Sequence, residues 1–304
     1  MPQDRTVLVI GAASQIGYHL LPRLADAGWS VAALSRTAAP ADHRGASWHR
    51  VDVSDRLALG SIGLRLRSVI NLAPIRILPA LVHTLADLGV TRIIAFSSTS
   101  RFTKAQSADP DERALAATLA RSEEALAHAC LSRGIAWTVF WPTLVYSPGL
   151  DRNVSEIARF IQRLGFFPIV ADGRGKRQPV HAADLAAACV AALDEPKTFD
   201  RAYCLSGGET LTYREMVHRI FGALSRPARI LSVPPGLFKA AVNAARLVPR
   251  FRKLSAELVT RMNMDMCFDH GEATHDFGFS PRKFEFRLDD GLASAGLPRS
   301  GFAR

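Results

Sequence analysis

The sequence predicts an α/β fold, a doubly wound parallel sheet with helices on both faces. Three similar stretches predict it: LADAGWSVAAL, LADLGVTRIIAF and LSRGIAWTVF each run from a helical apolar pattern through a glycine into a short apolar run. Gly28, Gly89 and Gly134 fall just past a helix end, where left-handed backbone makes a side chain a penalty. The runs that follow, about 31–34, 92–96 and 135–141, are apolar on both faces rather than alternating. That pattern belongs to parallel strands covered by helices on both sides.

Taken in order, the first strand is 6–10, the apolar run that enters VLVIGAASQIGYHL. It feeds Gly11, and a helix begins near Ile16, so the amides of the turn, through Ser14, Gln15 and Ile16, point outward at a helix N-terminus. An anionic phosphate is stabilised there by free N–H groups and the helix dipole. Gly11 permits the tight turn and Gly17 lets the helix pack close to the sheet. Ser14 stands where a third glycine is expected, and its hydroxyl can donate to a phosphate oxygen. Pro22 inside the helix removes one backbone donor and predicts a kink. Strands at 31–34, 48–51, 68–72, 92–96 and 135–141 complete at least six, joined by right-handed crossovers.

The end of the second strand decides which dinucleotide. An acidic residue there would bind the ribose 2′-hydroxyl of NAD. This chain has Ser35 followed by Arg36, and a guanidinium matches a 2′-phosphate, so NADP is favoured and NAD remains possible. After the third strand, Asp52 and Val53 border the adenine position; Asp52 can accept from an adenine amino group or cap the helix that follows.

Composition bounds the rest. The chain has 304 residues, 48% hydrophobic and 22% charged, ordinary values for a soluble globular protein. Its start resembles no signal peptide, and no apolar run reaches the length of a membrane span, so a cytoplasmic protein is expected. Four cysteines without a CxxC spacing suit reduced thiols. A net charge of +10 favours anionic ligands, but scattered arginines without interleaved aromatics do not indicate nucleic acid. His270 and His275 do not share a helix face, so no metal site is expected.

In order, GAASQIG, SRT, VDV, VINLAP, FSSTS, WPTLVYSPG and RQPVHAADLA resemble the extended or atypical short-chain dehydrogenase/reductases, the NAD(P)-dependent epimerase/dehydratase family. The resemblance covers nearly the whole chain, down to ATHDFGFSPRKF. It implies a Rossmann-type dinucleotide-binding domain over residues 1–150 and a smaller C-terminal α/β substrate domain mainly over 151–304, with 178–200 packing back onto the first. By motif, Leu72 and Ala73 line the cofactor and Pro142 lies near the nicotinamide. Arg177 occupies the place of an arginine that grips the substrate nucleotide, and Asp265 that of an acid contacting ribose. A small-molecule substrate and a homodimer are implied.

The chain departs from the family in its chemistry. Thr99 in FSSTS matches the catalytic serine or threonine, but the helix that should carry a YxxxK pair reads DERALAATLARSEEALAHACLSRG, without tyrosine or lysine. Leu119 and Glu123 take those places. Tyr146 is the nearest phenol, more simply a packing or substrate contact. Lys104 and Arg101 can supply charge beyond the fifth strand. Two readings follow: an NADP-preferring oxidoreductase or epimerase/dehydratase-like enzyme acting on a nucleotide-sugar-like or other bulky carbonyl or hydroxyl substrate, or a non-catalytic NAD(P)-binding structural or redox-sensor protein. The basic amphipathic stretch PPGLFKAAVNAARLVPRFRKL fits a charged outer helix better than peripheral membrane contact.

Overall fold

The computed structural model describes residues 5–37, 45–53, 59, 63–245 and 261–287. Seven parallel strands form its centre: β1 (Thr6–Ile10), β2 (Ser30–Ser35), β3 (Ser47–Arg50), β4 (Ser68–Asn71), β5 (Arg92–Phe96), β6 (Ala136–Pro142) and β11 (Arg201–Leu205). Their order is β11-β6-β5-β4-β1-β2-β3, which reverses direction between β1 and β4. Six of the seven were legible in the sequence. The outer strand β11, in register with β6 from Arg201 opposite Thr138 to Leu205 opposite Pro142, was not.

Alternation along each strand sends side chains to opposite faces. From β1, Val7 and Val9 pack with Leu20 and Leu24 of α1 (Gln15–Asp26) and with Leu185, Ala186 and Cys189 of α6 (Ala182–Leu193). Leu8 and Ile10 pack on the other side with Val82 and Leu85 of α2 (Val82–Asp87) and Leu126 and Cys130 of α4 (Pro110–Arg133). Pro22 lies inside α1 without ending it. Gly134 closes α4 at φ 63°, its amide donating to Cys130 and Leu131 carbonyls.

A third apolar cluster gathers Val154, Ala158 and Ile161 of α5 (Val154–Leu164), Phe167 and Ile169 of β8 (Phe167–Val170), and Met216, Val217 and Phe221 of α7 (Tyr213–Ala223). Phe284 closes it from the C-terminal segment. Short pairs border it: β7 (Val145–Tyr146) with β10 (Val180–His181), and β9 (Lys176–Arg177) with β12 (Leu211–Thr212). Of the basic amphipathic stretch, the backbone of α8 (Pro235–Ala245) is helical, while Arg246, Arg250, Arg252 and Lys253 lie outside the described residues. Among the described residues no helix is long and apolar enough to cross a membrane.

Candidate functional site

The turn after β1 lies at the reversal of strand order, where the C-terminal ends of β1 and β4 leave a crevice. Gly11 has φ +76°, and a Cβ there would stand 2.9 Å from the amide nitrogen of Ala73. The turn is thus pressed on Leu72 and Ala73, the two residues that follow β4. A Cβ on Gly17 would meet the Ala12 carbonyl oxygen at 2.1 Å, so only glycine lets α1 start this close. The amides of Gly11 and Ala12 both donate to the Leu34 carbonyl, tying the turn to β2.

Ser14 is the N-cap of α1, its hydroxyl oxygen accepting from the Gly17 amide at 3.1 Å. The side chain folds over the helix's own first turn, and its proton remains available to a ligand. The amides of Gln15 and Ile16, first in the helix, precede the intrahelical ladder and face outward. A diphosphate fits this glycine-shaped cradle, with Gln15, Ile16 and the Ser14 hydroxyl as donors.

Beyond β2, Ser35 is buried and its hydroxyl closes a turn: it accepts from the Thr37 amide at 3.1 Å and shares a 2.8 Å bond with the Thr37 hydroxyl. That turn leaves Arg36 exposed. Arg50, at the end of β3, donates through Nε to the Arg36 carbonyl at 3.3 Å. This second arginine against the backbone of Arg36 was missed in the sequence, because the pairing of β2 with β3 creates the proximity. Asp52 is exposed and Val53 buried at the same edge; the helix that Asp52 was expected to cap falls outside the described residues.

At the other end of the crevice a cleft of about 440 Å³ opens beyond β5 and β6. Ser97, Ser98, Thr99, Lys104, Pro142 and Arg177 are among its walls. Thr99 donates its amide and its hydroxyl to the Pro142 carbonyl, the hydroxyl at 3.0 Å, so its proton is committed to backbone. Ser98 differs: its oxygen accepts from the Ser100 amide at 3.1 Å, leaving its proton to donate. Lys104 stands 3.3 Å from Glu112, which also pairs with Arg261 at 3.0 Å.

Glu123 projects from the middle of α4 (Pro110–Arg133) and is 6% exposed. Ser97 donates its hydroxyl to one carboxylate oxygen and Arg101, in the short helix α3 (Ser100–Thr103), pairs with the other. Leu119 is half-buried against the α2–α4 core. The positions aligned with the family's tyrosine and lysine therefore hold an apolar side chain and a buried carboxylate paired in reverse sense.

Tyr146 has no exposed surface. Its ring packs edge-on against His181 and Phe284, its hydroxyl accepts from the Glu285 amide at 3.3 Å, and burial pushes its pKa up to about 12. It is shaped for packing, not for proton transfer near neutral pH. Arg177 spends its fork on backbone: it donates to the carbonyls of Lys176 and Met264, each at 2.7 Å, and to that of Arg261. Asp265 accepts from the Lys176 amide at 2.8 Å. Together they strap residues 261–266 across the cleft mouth. His270 pairs with Ser206 and His275 with Asp276, and among the described residues no group of His, Cys, Asp and Glu is arranged to hold a metal ion.

A family model described as NAD dependent epimerase/dehydratase family matches residues 7–80 and 74–204. A UDP-glucose 4-epimerase of Vibrio cholerae is 26% identical over 142 residues, 46% of this chain and 40% of that protein. NADH dehydrogenase [ubiquinone] 1 alpha subcomplex subunit 9, mitochondrial, of Arabidopsis thaliana is 32% identical over 91 residues, 30% of this chain and 23% of that protein. The matches thus span less than half the length of these relatives. The crystal structure of a UDP-glucose 4-epimerase with UDP-glucose from Thermotoga maritima superposes with a TM-score of 0.70 at 18% identity, covering 95% of this chain and 97% of the other.

Proposed function

Because the chain belongs to the NAD dependent epimerase/dehydratase family, we propose that it binds a nicotinamide dinucleotide, NADP in preference to NAD, and transfers hydride to or from a nucleotide-sugar-like or other bulky carbonyl or hydroxyl substrate. One observation carries the reading. A glycine turn too tight for any Cβ lies at the strand-order reversal, and a polar cleft of about 440 Å³ opens at the far end of the same crevice.

The chain's own groups divide the work. The amides of Gln15 and Ile16 and the Ser14 hydroxyl hold the diphosphate, while Leu72 and Ala73 form the floor beneath it. Arg36, its backbone fixed by Arg50, faces a 2′-phosphate. The nicotinamide, when bound, supplies the hydride acceptor or donor. Ser98 donates to a substrate carbonyl oxygen, and Lys104 stabilises negative charge developing there. With Leu119 in place of a phenol and Tyr146 sealed in the core, the accompanying proton passes through Ser98 and cleft water. Stopped-flow fluorescence of bound NADPH, mixed with a panel of nucleotide sugars and simple carbonyls, tests this: oxidation in at least one mixture is expected.

A second reading is favoured by Glu123, whose buried pair with Arg101 fills the lysine position. There the protein keeps the dinucleotide for structure or redox sensing without turnover. Tight NADPH binding with no oxidation across the panel selects it.

A further inference from the structure

The Arg101–Glu123 pair is costly to keep. A carboxylate in the middle of a helix and 6% exposed needs full compensation, and replacing a buried ion pair by apolar residues is commonly neutral or stabilising. The pair is nonetheless built with care. Ser97 holds one carboxylate oxygen, Arg101 the other, and the guanidinium lies 5.7 Å from the Trp141 ring centroid and 5.5 Å from that of Phe102. Ser97 is itself a wall of the cleft, so the carboxylate sits one side chain behind it, and the guanidinium it pairs with, 27% exposed, lies beyond.

A dinucleotide with its diphosphate on α1 extends in two directions along the sheet edge. One half runs over β2 and β3, where Arg36 and Arg50 stand; the other runs over β4, β5 and β6 toward Ser97 and Pro142. The half that reaches Ser97 is the nicotinamide, which carries one more positive charge oxidised than reduced. A net charge behind Ser97 acts on that difference through poorly screening protein.

We propose that Glu123, by cancelling the charge of Arg101 behind the cleft wall, sets the preference of the site between oxidised and reduced nicotinamide, so that both states are held with similar affinity. This rests on the cofactor reading above. It suits a reaction in which hydride leaves a substrate and returns without release of the cofactor. Glu123 acts through Ser97 and Arg101 and is a specificity-determining residue, not a catalytic one.

The test is a set of titrations of the full chain with NADP+ and with NADPH, for the unmodified protein, Glu123→Gln, Arg101→Gln and the double variant. The quantity read is the ratio of the two dissociation constants, oxidised over reduced. Glu123→Gln leaves the cation alone and is expected to raise the ratio at least about threefold; Arg101→Gln leaves the anion and lowers it by a similar factor. The double variant, neutral again, returns to within about twofold of the unmodified protein. If Glu123→Gln fails to fold, Arg101→Gln and the double variant still decide. Ratios unchanged in the single variants, or shifted in the same direction, overturn the proposal while leaving the cofactor reading standing. Failure of the unmodified protein to bind either nucleotide overturns the reading beneath it.

Discussion

At Arg36 the proposed preference for NADP rests on a single side chain. Its guanidinium is exposed at the end of β2, and a charge-assisted bond to a 2′-phosphate contributes about 1.5–3 kcal/mol, or tenfold and more in affinity. Arg36→Ala is therefore expected to weaken NADPH binding at least about tenfold in a fluorescence titration and leave NADH nearly unchanged. Equal affinities for the two nucleotides in the unmodified protein would remove the argument. His181 offers a second test. Burial, with Arg282 and Arg23 nearby, lowers its pKa from 6.5 to about 4. The folded state thus resists a proton that the unfolded chain accepts, so stability present above pH 6.5 is lost as pH falls toward 4, by as much as about 3 kcal/mol. His181→Asn keeps an N-cap acceptor and is expected to flatten that part of a urea-denaturation profile against pH. At this scale the sequence exposed the missing tyrosine and lysine, because absences on one helix are local. It did not expose the Glu123 pair, whose partners come from two other elements.

Elements were more legible where local chemistry marks their ends. Gly28, Gly89 and Gly134 all take positive φ, at +78°, +92° and +63°, where the apolar pattern placed helix ends. Strand β11 escaped because RAYCL is short and its burial comes from β6 and the helix α9 (Gly271–Phe277) rather than from its own pattern. The strap 261–266 was equally hidden. The family resemblance assigned Arg177 and Asp265 to substrate, while the fold gives both of them backbone to hold. Lysine has no planar fork to reach three carbonyls. Arg177→Lys is expected to cost about 2 kcal/mol of unfolding free energy and to speed amide hydrogen exchange across 261–266. Unaltered exchange there would return Arg177 to a ligand role. The C-terminal segment has a similar clasp: Asp184, in the first turn of α6, accepts from the Arg282 amide at 3.0 Å and from its Nε at 2.8 Å.

For the whole molecule, the order of seven strands matters more than any motif, because it brings distant segments to one edge. Gly11, Leu72, Ser97 and Pro142 lie far apart in the chain, yet the first three follow β1, β4 and β5 and Pro142 ends β6, all at the same end of the sheet. The parallel strands and their helical crossovers were legible in the glycine-ended apolar runs; the order that assembles them was not. What the chain does with a substrate was not legible, since the cleft wall is built from side chains whose bonds only tertiary structure reveals. The measurement that bears most directly on the account is calorimetric titration of the full chain with NADPH, beside Gly11→Ala, whose Cβ would press on the Ala73 amide at 2.9 Å. Saturable single-site binding that Gly11→Ala abolishes is the expected result; no binding in the unmodified protein, or equal binding in both, would contradict it.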